Sequence, residues 1–280
     1  MFNVVNKTPL RAVSSLFLLI LLIVVFLTLC WDFVSSHIFP NTTIGLYNKS
    51  FWENVLVEAH GMVFDILIIG VIVVWLDTRR SIYNERKNMI NELNDMSYLD
   101  LPEVNHRKIG LMYRLNKLGV MNFNVDELII SSVRVNGLNV KGSTLNNLKI
   151  MKSLISETSF TETTLLRADF SETQIKSTLF LSCKMKKVAF INATAHGVDY
   201  SHSNLERAKF INADVQSSIF KECNLREANF ENANLRNANF RGAKYLKAAN
   251  LLRAKCLDYI VVDDEIKNEL KSLRSDIKGL

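Results

Sequence analysis

The sequence predicts two transmembrane α-helices followed by an all-β solenoid with helical caps, in a chain of 280 residues. Two observations predict this fold class. One is a pair of long apolar stretches within the first 76 residues, and the other is an apolar residue at every fifth position from Val125 to Tyr245. The composition agrees, because 10 glycines and 3 prolines are too few for a collagenous or disordered chain.

The first apolar stretch runs from Ala12 to Trp31 and contains no charged side chain. A helix of about 20 apolar residues spans the hydrocarbon layer of a bilayer. The alternative is a cleaved signal peptide, whose apolar region usually has about 7–15 residues. The greater length of this stretch favours a membrane anchor.

The second stretch runs from about Val55 to Leu76, and its first half contains Glu58, His60 and Asp65. Glu58 and Asp65 are seven residues apart and therefore share one face of a helix. Ionisable residues at this depth face a partner helix or a wet cavity. Two interpretations stay open: an ion- or proton-conducting constriction in an oligomer, or Glu58 and His60 at the interface with Asp65 paired to a neighbouring chain.

Basic residues set the expected topology. The segment between the two stretches contains only Lys49, whereas basic residues flank the pair on both outer sides. Positive charge favours the cytoplasmic side of a membrane, so both termini and the solenoid are predicted to be cytoplasmic. The flanking residues are Lys7, Arg11, Arg79, Arg80, Arg86 and Lys87.

Residues 77–120 are predicted to form a helical stalk and an N-terminal cap. Its first part lacks Gly and Pro and carries an apolar seam at Ile82, Met89, Leu93 and Met96. A second helix is expected between Asp100, as N-cap, and Gly119, with Pro102 in its first turn. Its basic residues are expected to face solvent or an anionic leaflet: His106, Arg107, Lys108, Arg114 and Lys117.

The region from residue 121 to 261 has a five-residue repeat. Twenty-five consecutive positions, spaced by five, are apolar, and the residue two positions earlier is mostly small. A period of five fits neither an α-helix nor a plain strand. It fits a chain that bends after every few extended residues, coils, and buries its apolar face by stacking on neighbouring coils.

The segments Ala228–Asn232, Ala233–Asn237 and Ala238–Gly242 resemble tandem pentapeptide repeats, with consensus A-(D/N)-(L/F)-x-x. The resemblance implies a right-handed quadrilateral β-helix with four pentads per coil, hence about six coils and roughly 30 Å of length. The segments Glu58–Asp65 and Arg114–Val120 resemble the two-helix module that precedes such repeats in many bacterial membrane proteins. This second resemblance implies an integral inner-membrane protein of poorly defined function.

Four pentads per coil imply that residues twenty apart stack inside the solenoid. The filled interior leaves no cavity, so no cofactor is expected. Cys183 and Cys223 fall at small interior positions two coils apart and are expected to be inert thiols. The expected ladders are Phe160, Phe180, Tyr200, Phe220 and Phe240; Phe170, Phe190, Phe210 and Phe230; and Leu165, Met185, Leu205 and Leu225.

Near the C-terminus the five-residue repeat shifts by one residue. Leu251 and Cys256 continue it one residue late, so Ala248 is interpreted as an inserted residue. Residues 262–280 are expected to form a final helix, capped by Asp263 or Asp264. Its apolar stripe is either a cap over the last coil or a coiled-coil seam. Because the open end of a solenoid must be covered or paired, a homo-oligomer is one expected outcome.

The sequence contains no phosphate loop, nucleophile elbow or metal-ligand spacing, so no catalytic, cofactor-binding or metal residues are predicted and an enzyme is not expected. The favoured function is a membrane-anchored scaffold that contacts an unidentified protein partner through outward apolar residues. These are Leu179, Leu181 and Ile219 on one face, and Ile191 and Ile211 on another.

Two further functions stay open. One is a membrane-perturbing effector or pore, whose two-helix segments assemble through the solenoid, as in toxin or antiviral-defence proteins. The other is a ligand of topoisomerase or nucleic acid. Residues 121–261 carry 19 basic and 13 acidic side chains, which disfavours mimicry of DNA, and the inward aromatic residues disfavour base stacking.

Overall fold

The structure, a computed structural model, describes residues 9–38 and 48–280. The chain divides into two compact units, Met1–Glu85 and Arg86–Leu280. Lys7 and residues 39–47, between the two apolar stretches, lie outside the described residues. The predicted cytoplasmic placement of the termini therefore rests on the sequence alone.

The first unit is helical. Helix α1 spans Pro9–Leu29, α2 spans Trp31–Phe33, a π-helical turn spans Val34–Ile38, and α3 begins at Lys49 and ends at Asp95 in the second unit. Among the described residues, α3 alone is long and apolar enough to cross a membrane as one helix. A second span exists only if the bent pair Ser14–Leu29 and Trp31–His37 counts as one.

This arrangement differs from the predicted pair of transmembrane helices. The first predicted span, Ala12 to Trp31, is broken before its end, and the helical segments on either side of the break meet at 61°. The cause is Cys30, whose ψ of 10° departs from the helical value of about −42°.

The second unit begins with the end of α3 and with helix α4, Pro102–Lys117. Leu93 and Leu115 are fully buried in its core, and Gly119, with φ +74°, follows α4 as expected. The prediction for Asp100 is wrong. Leu101 occupies the N-cap position, and the Asp100 carboxylate instead accepts a hydrogen bond from Asn105 Nδ2 at 2.7 Å.

The β-solenoid is built from three-residue parallel strands. The strands are β1 Arg134–Asn136, β2 Asn139–Lys141, β3 Leu154–Ser156, β4 Ser159–Thr161, β5 Gln174–Lys176, β6 Leu179–Leu181 and β7 Thr194–His196. Two sheets have the strand orders β1-β3-β5-β7 and β2-β4-β6, and each strand pairs with the one twenty residues away, as Phe160 with Phe180.

Regular strands cover about three turns, fewer than the six coils that the sequence predicted. On the other two faces of these turns, and in the coils before and after them, the pairing continues as single-residue parallel bridges, from Asn124↔Thr144 to Asn239↔Val261. In those pentads one residue pairs before the chain turns, which is too short for a strand. Many turns use a residue with positive φ that is not glycine, such as Glu162 and Arg167 at 53° and 57°. This conformation costs about 1–2 kcal/mol per residue, so the stacking of coils must hold it.

The interior ladders are confirmed. In the first ladder, stacked ring centroids lie 5.0 Å apart for Phe160–Phe180 and 4.9 Å apart for Phe220–Phe240. In the second, Phe190 and Phe210 are 5.0 Å apart. The two ladders meet edge to face, with centroid distances from 5.4 to 6.3 Å. Edge-to-face contacts between aromatic rings stabilise the packing beyond what the buried area alone contributes. The two ladders together fill the interior between opposite faces of the solenoid.

The C-terminal register differs from the prediction. Helix α5, Ala248–Leu251, interrupts the repeat, and the pairing beyond it is offset by 22 residues, as in Asn234↔Cys256. The insertion is therefore two residues rather than one. As a result Leu257, and not Cys256, occupies the interior position.

Helix α6, Asp264–Leu273, follows the last bridge. Leu270 is fully buried in the solenoid core, and Ile266, Ile277 and Leu280 pack on the same core. Asp263 occupies the N-cap position of α6, but its carboxylate accepts the Gly242 N–H at 3.1 Å rather than an N–H of α6. Of the two roles expected for the apolar stripe, a cap over the last coil or a coiled-coil seam, this packing corresponds to the cap.

Candidate interaction surfaces

One lateral face of the solenoid carries exposed apolar side chains. Strand β6 places Leu179 and Leu181 on either side of the buried Phe180. Parallel bridges connect Leu179 to Asp199 and Asp199 to Ile219, so Leu179, Asp199 and Ile219 form one column along the face. Leu179 is 40% exposed, and Leu181 and Ile219 are partly buried. The structure therefore brings the predicted trio together, and we call this surface the Leu179 face.

The second predicted pair lies on another face. Ile191 and Ile211 follow the interior residues Phe190 and Phe210 and are twenty residues apart, so they lie on neighbouring coils. Both are partly buried. Since the ladders of Phe180 and Phe190 meet across the interior, this pair lies on the side opposite the Leu179 face.

Charges of both signs lie on the Leu179 face, because Asp199 stands between Leu179 and Ile219 and Glu222 follows Lys221. Lys221 and Arg241 belong to the same pentads as Ile219 and Asn239, are exposed, and have no ion-pair partner within the described residues. On the next face around the coil, Lys186 pairs with Glu206 at 2.9 Å. Exposed pairs contribute about 0–1 kcal/mol, so these charges matter more for steering a partner than for stability.

The N-terminal edge of the solenoid is covered. Tyr113 Oη accepts the Asn136 N–H at 2.7 Å and donates to the Asn136 carbonyl at 2.9 Å. Asn116 Oδ1 likewise accepts the Asn139 N–H at 2.7 Å. Because α4 side chains occupy these backbone groups, this part of the edge is not open to another strand.

A buried lysine joins the connector to the first coil. Lys108 is completely buried, and its Nζ donates to the carbonyls of Ser97 at 3.0 Å, Leu99 at 2.6 Å and Ile129 at 2.6 Å. Burial lowers its pKa, and the nearby Asp100 carboxylate opposes that shift. The expectation that Lys108 lies on the solvent-facing or lipid-facing side of α4 is therefore wrong.

Lys108 shares the buried side of α4 with Leu111 and Leu115, at spacings of three and seven. The only sequence signal for the burial of Lys108 is its position in this apolar stripe, and that signal is weak. The role of Lys108 is structural, because it donates to the Leu99 and Ile129 carbonyls and shares the Ser97 carbonyl with the Ile129 N–H.

The candidate polar site on α3 is divided between two faces. Glu58 and Asp65 are exposed, and neither has a hydrogen-bond or ion-pair partner among the described residues. His60 is partly buried, and its Nδ1 lies 2.7 Å from the Leu56 carbonyl of the same helix. The structure therefore brings the two carboxylates onto one face and separates them from the histidine.

The second unit also has a shallow surface pocket of about 410 Å³. Apart from Tyr98, its lining residues are small polar, amide or charged residues, whereas small-molecule sites are mostly apolar with a few placed polar groups. No sequence motif pointed to it. The lining residues are Ser97, Tyr98, Asp126, Glu127, Asn146, Asn147 and Arg167.

Comparison with known proteins agrees with this architecture. Residues 183–255 match the family profile described as "Pentapeptide repeat region". This segment of the solenoid is therefore similar to pentapeptide repeats. No curated protein matches the chain.

Several solved pentapeptide-repeat structures are similar. One is a pentapeptide repeat protein from the Arabidopsis thaliana thylakoid lumen, 22% identical, covering 43% of this chain and 76% of its own, with TM-score 0.31. Another is QnrB1, a plasmid-mediated fluoroquinolone resistance protein, which is 18% identical; the match covers 55% of this chain and 99% of QnrB1, with TM-score 0.25. A third is HetL, involved in heterocyst differentiation regulation in Nostoc sp., which is 20% identical; the match covers 48% of this chain and 89% of HetL, with TM-score 0.23.

Proposed function

We propose that this protein is a non-enzymatic scaffold, held at a membrane by its apolar helices, whose solenoid binds a protein partner through the Leu179 face. The observation that carries the proposal is the column of Leu179 and Ile219, which stays accessible on a face whose interior positions are filled by aromatic rings. A flat face over a filled interior provides a contact surface rather than a substrate cavity.

Membrane attachment is supported by the exposure of α3. Its most apolar 18-residue window has a mean hydropathy of 2.2, and only 6% of that window is buried. The core helix of a soluble protein would be mostly covered by its own chain. An exposed apolar surface of this size needs another apolar environment, and a bilayer supplies it.

Two basic residues at the edge of the Leu179 face are available to an acidic group of the partner. Lys221 and Arg241 follow Ile219 and Asn239 on neighbouring coils and have no ion-pair partners in the described part of the chain. Unpaired rim charges accelerate encounter with a surface of opposite sign, and Leu179 and Ile219, on either side of Asp199, supply apolar contacts. We therefore expect the partner to present an apolar patch with carboxylates at its edge.

Photo-crosslinking in cells tests this proposal. A photoreactive amino acid replaces Lys221 in the full-length protein, and the matched control replaces the exposed Glu231 on the opposite face. We expect one heterologous adduct from position 221 and none from position 231. Leu179→Asp should reduce the adduct at least tenfold, whereas Ile211→Asp should leave it unchanged.

Adducts from position 231 alone would move the binding site to the face of Ile191 and Ile211. Equal adducts from both positions, or none from either, would overturn the proposal. Alkaline carbonate extraction of the same membranes tests the attachment separately, since a membrane-spanning chain stays in the pellet.

The alternative of a membrane-perturbing effector is favoured by one observation, the two exposed carboxylates on the apolar helix α3. A voltage-sensitive dye separates the two functions during controlled overproduction. A scaffold leaves the membrane potential unchanged, whereas a collapse that Asp65→Asn abolishes would establish the effector.

A further inference from the structure

We infer that the face of the solenoid that carries Lys184, Lys186 and Lys187 binds an anionic phospholipid surface. The inference rests on the proposed membrane attachment and adds to it a second, electrostatic contact with lipid. We call this surface the Lys184 face. It consists of residues 164–167, 184–187, 204–207, 224–227 and 244, which lie on successive coils.

The Lys184 face is a regular stack of coils. Parallel bridges run from Thr164 through Lys184 to Lys244, at intervals of twenty residues. Parallel partners lie about 4.7–4.9 Å apart, so the outward side chains of five coils form one continuous surface. Behind it the interior is filled by the aliphatic ladder of Met185 and Leu205.

Positive charge is concentrated on this face. The Lys184 face carries seven basic and two acidic side chains, and six of the seven basic ones are exposed. On the opposite face of the same coils, residues 174–177, 194–197, 214–217 and 234–237 carry two basic side chains and one acidic. A surface of one dominant sign attracts ligands of the opposite sign.

Three basic residues stack at one corner of these coils without an acid between them. Arg167, Lys187 and Arg207 are twenty residues apart, and the backbone N–H of each bonds to the next coil in the same way. Arg167 donates to Asn147 at 2.9 Å and Arg207 to Glu227 at 2.7 Å, both on the side away from Lys187. Lys187 has no ion-pair partner among the described residues. Like charges at neighbouring positions repel, and an anionic ligand relieves that repulsion.

The fold does not require basic residues at this corner. The equivalent position is occupied by Glu127 and Asn147 in the earlier coils and by Glu227 in the next one. All six residues of this column adopt a positive φ, between 55° and 62°. The turn therefore accepts an acidic or amide side chain equally, and its geometry does not explain three basic residues in succession.

Other basic side chains of the face are also available to a ligand. Lys184 and Lys244 are exposed and have no ion-pair partner in the described part of the chain. Lys186 pairs with Glu206 at 2.9 Å, and exposed pairs of this kind are weak. An anionic surface can therefore contact lysines of several coils at once.

A phospholipid leaflet fits this face better than nucleic acid does. Single-stranded nucleic acid binds by stacking its bases on aromatic side chains. Only Tyr245 stands at the edge of the face, and the Arg226 guanidinium lies over its ring at 4.2 Å. A duplex is a cylinder and meets a regular face along a line, whereas a leaflet meets all the basic side chains together. Anionic lipids attract clusters of Lys and Arg, and the proposed attachment keeps such lipids within reach.

Contact through the Lys184 face leaves the Leu179 face open. Leu181 and Lys184 belong to consecutive pentads, so the two surfaces lie on adjacent sides of the coil. One side can therefore lie on lipid while the next binds the protein partner.

Fluorescence quenching in nanodiscs tests the inference with the full-length protein. Cys30 and Cys256 are first replaced by Ser, and the two buried cysteines are kept. A fluorophore is attached through Thr164→Cys on the Lys184 face, or through Gln174→Cys at the equivalent pentad position of the opposite face. The quencher is phosphatidylcholine with a spin-labelled headgroup. In discs of phosphatidylcholine and phosphatidylglycerol, we expect at least threefold stronger quenching at position 164 than at position 174.

Charge reversal is the second arm. Lys184→Glu with Lys187→Glu should reduce the quenching at position 164 to the level of position 174. Arg134→Glu with Lys176→Glu, on the opposite face, changes the net charge equally and should leave the quenching unchanged. Discs of phosphatidylcholine alone, or high salt, should also abolish the difference, because salt screens exposed charges.

The outcomes separate this inference from the proposed function. If alkaline carbonate extracts the unmodified chain, the membrane attachment is wrong. If the chain stays in the pellet but positions 164 and 174 are quenched equally, or discs without anionic lipid quench position 164 as strongly, lipid binding by this face is wrong. A DNA duplex that abolishes the quenching at a phosphate concentration equal to that of the anionic lipid would also overturn it, because the face would then prefer nucleic acid.

Discussion

Tyr200 is the one position in its aromatic ladder that carries a hydroxyl. Its ring is fully buried and stacks on Phe180 at 5.5 Å and on Phe220 at 5.0 Å. Its hydroxyl oxygen has no hydrogen-bond partner. Burial also raises its pKa far above the ordinary value near 10.

The substitution Tyr200→Phe removes this hydroxyl and keeps both stacking contacts. A buried polar group without a partner costs about 1–3 kcal/mol, and the small gap left by one oxygen atom offsets part of the gain. We therefore expect the free energy of unfolding to rise by about 1–2 kcal/mol. For a unit of this size that corresponds to a melting temperature higher by about 2–8 °C.

The assay is thermal and urea unfolding of the full-length protein in detergent, followed by the strand signal in the far ultraviolet. Phe180→Tyr is the inverse control, since it introduces a hydroxyl at the equivalent ladder position and should destabilise by about 1–3 kcal/mol. If Tyr200→Phe unfolds at the same temperature as the parent or lower, the hydroxyl is bonded in solution and the reasoning is wrong.

Three further predictions concern stability. Lys108→Met removes the donor of the Leu99 and Ile129 carbonyls and one of the two donors of the Ser97 carbonyl, and should cost about 3–5 kcal/mol, measured by urea unfolding. Leu270→Ala should cost about 2–5 kcal/mol, whereas Leu273→Ala, at a site 54% exposed, should cost less than about 0.5 kcal/mol. Burial raises the pKa of Cys183 and Cys223 from 9.0 to about 12. The unfolded chain therefore loses these protons first, so stability should fall as pH rises from 9 to 12, and alanine at both positions should flatten that fall in pH-dependent melting.

Repetition made the solenoid predictable. Each pentad packs on the pentad twenty residues away, so one periodic signal determines which side chains are interior and which stack. Phe160, Phe180 and Phe220 were assigned to one ladder on this basis, and the structure stacks them in that order around Tyr200. The column of Leu179 and Ile219 followed from the same count.

The register predicted for the end of the repeat is wrong. The phase slip at Ala248 looked like one residue, but α5 adds a helical turn and the register shifts by two. Local apolar spacing cannot distinguish these cases, because Cys256 and Leu257 are both apolar. Only pairing with Asn234 and Leu235 decides which of them is interior.

The sequence by itself determined a five-residue burial period, a stacked aromatic interior and an apolar N-terminal region, because each depends on composition or on contacts between equivalent units. Only the tertiary structure decided that Lys108 is buried against carbonyls of two segments, Ser97 with Leu99 and Ile129, and that Asp100 bonds Asn105 rather than capping α4. It also decided that Glu58 and Asp65 are exposed while Val63 of the same helix is buried. These features depend on contacts between unlike segments, which no period in the sequence encodes.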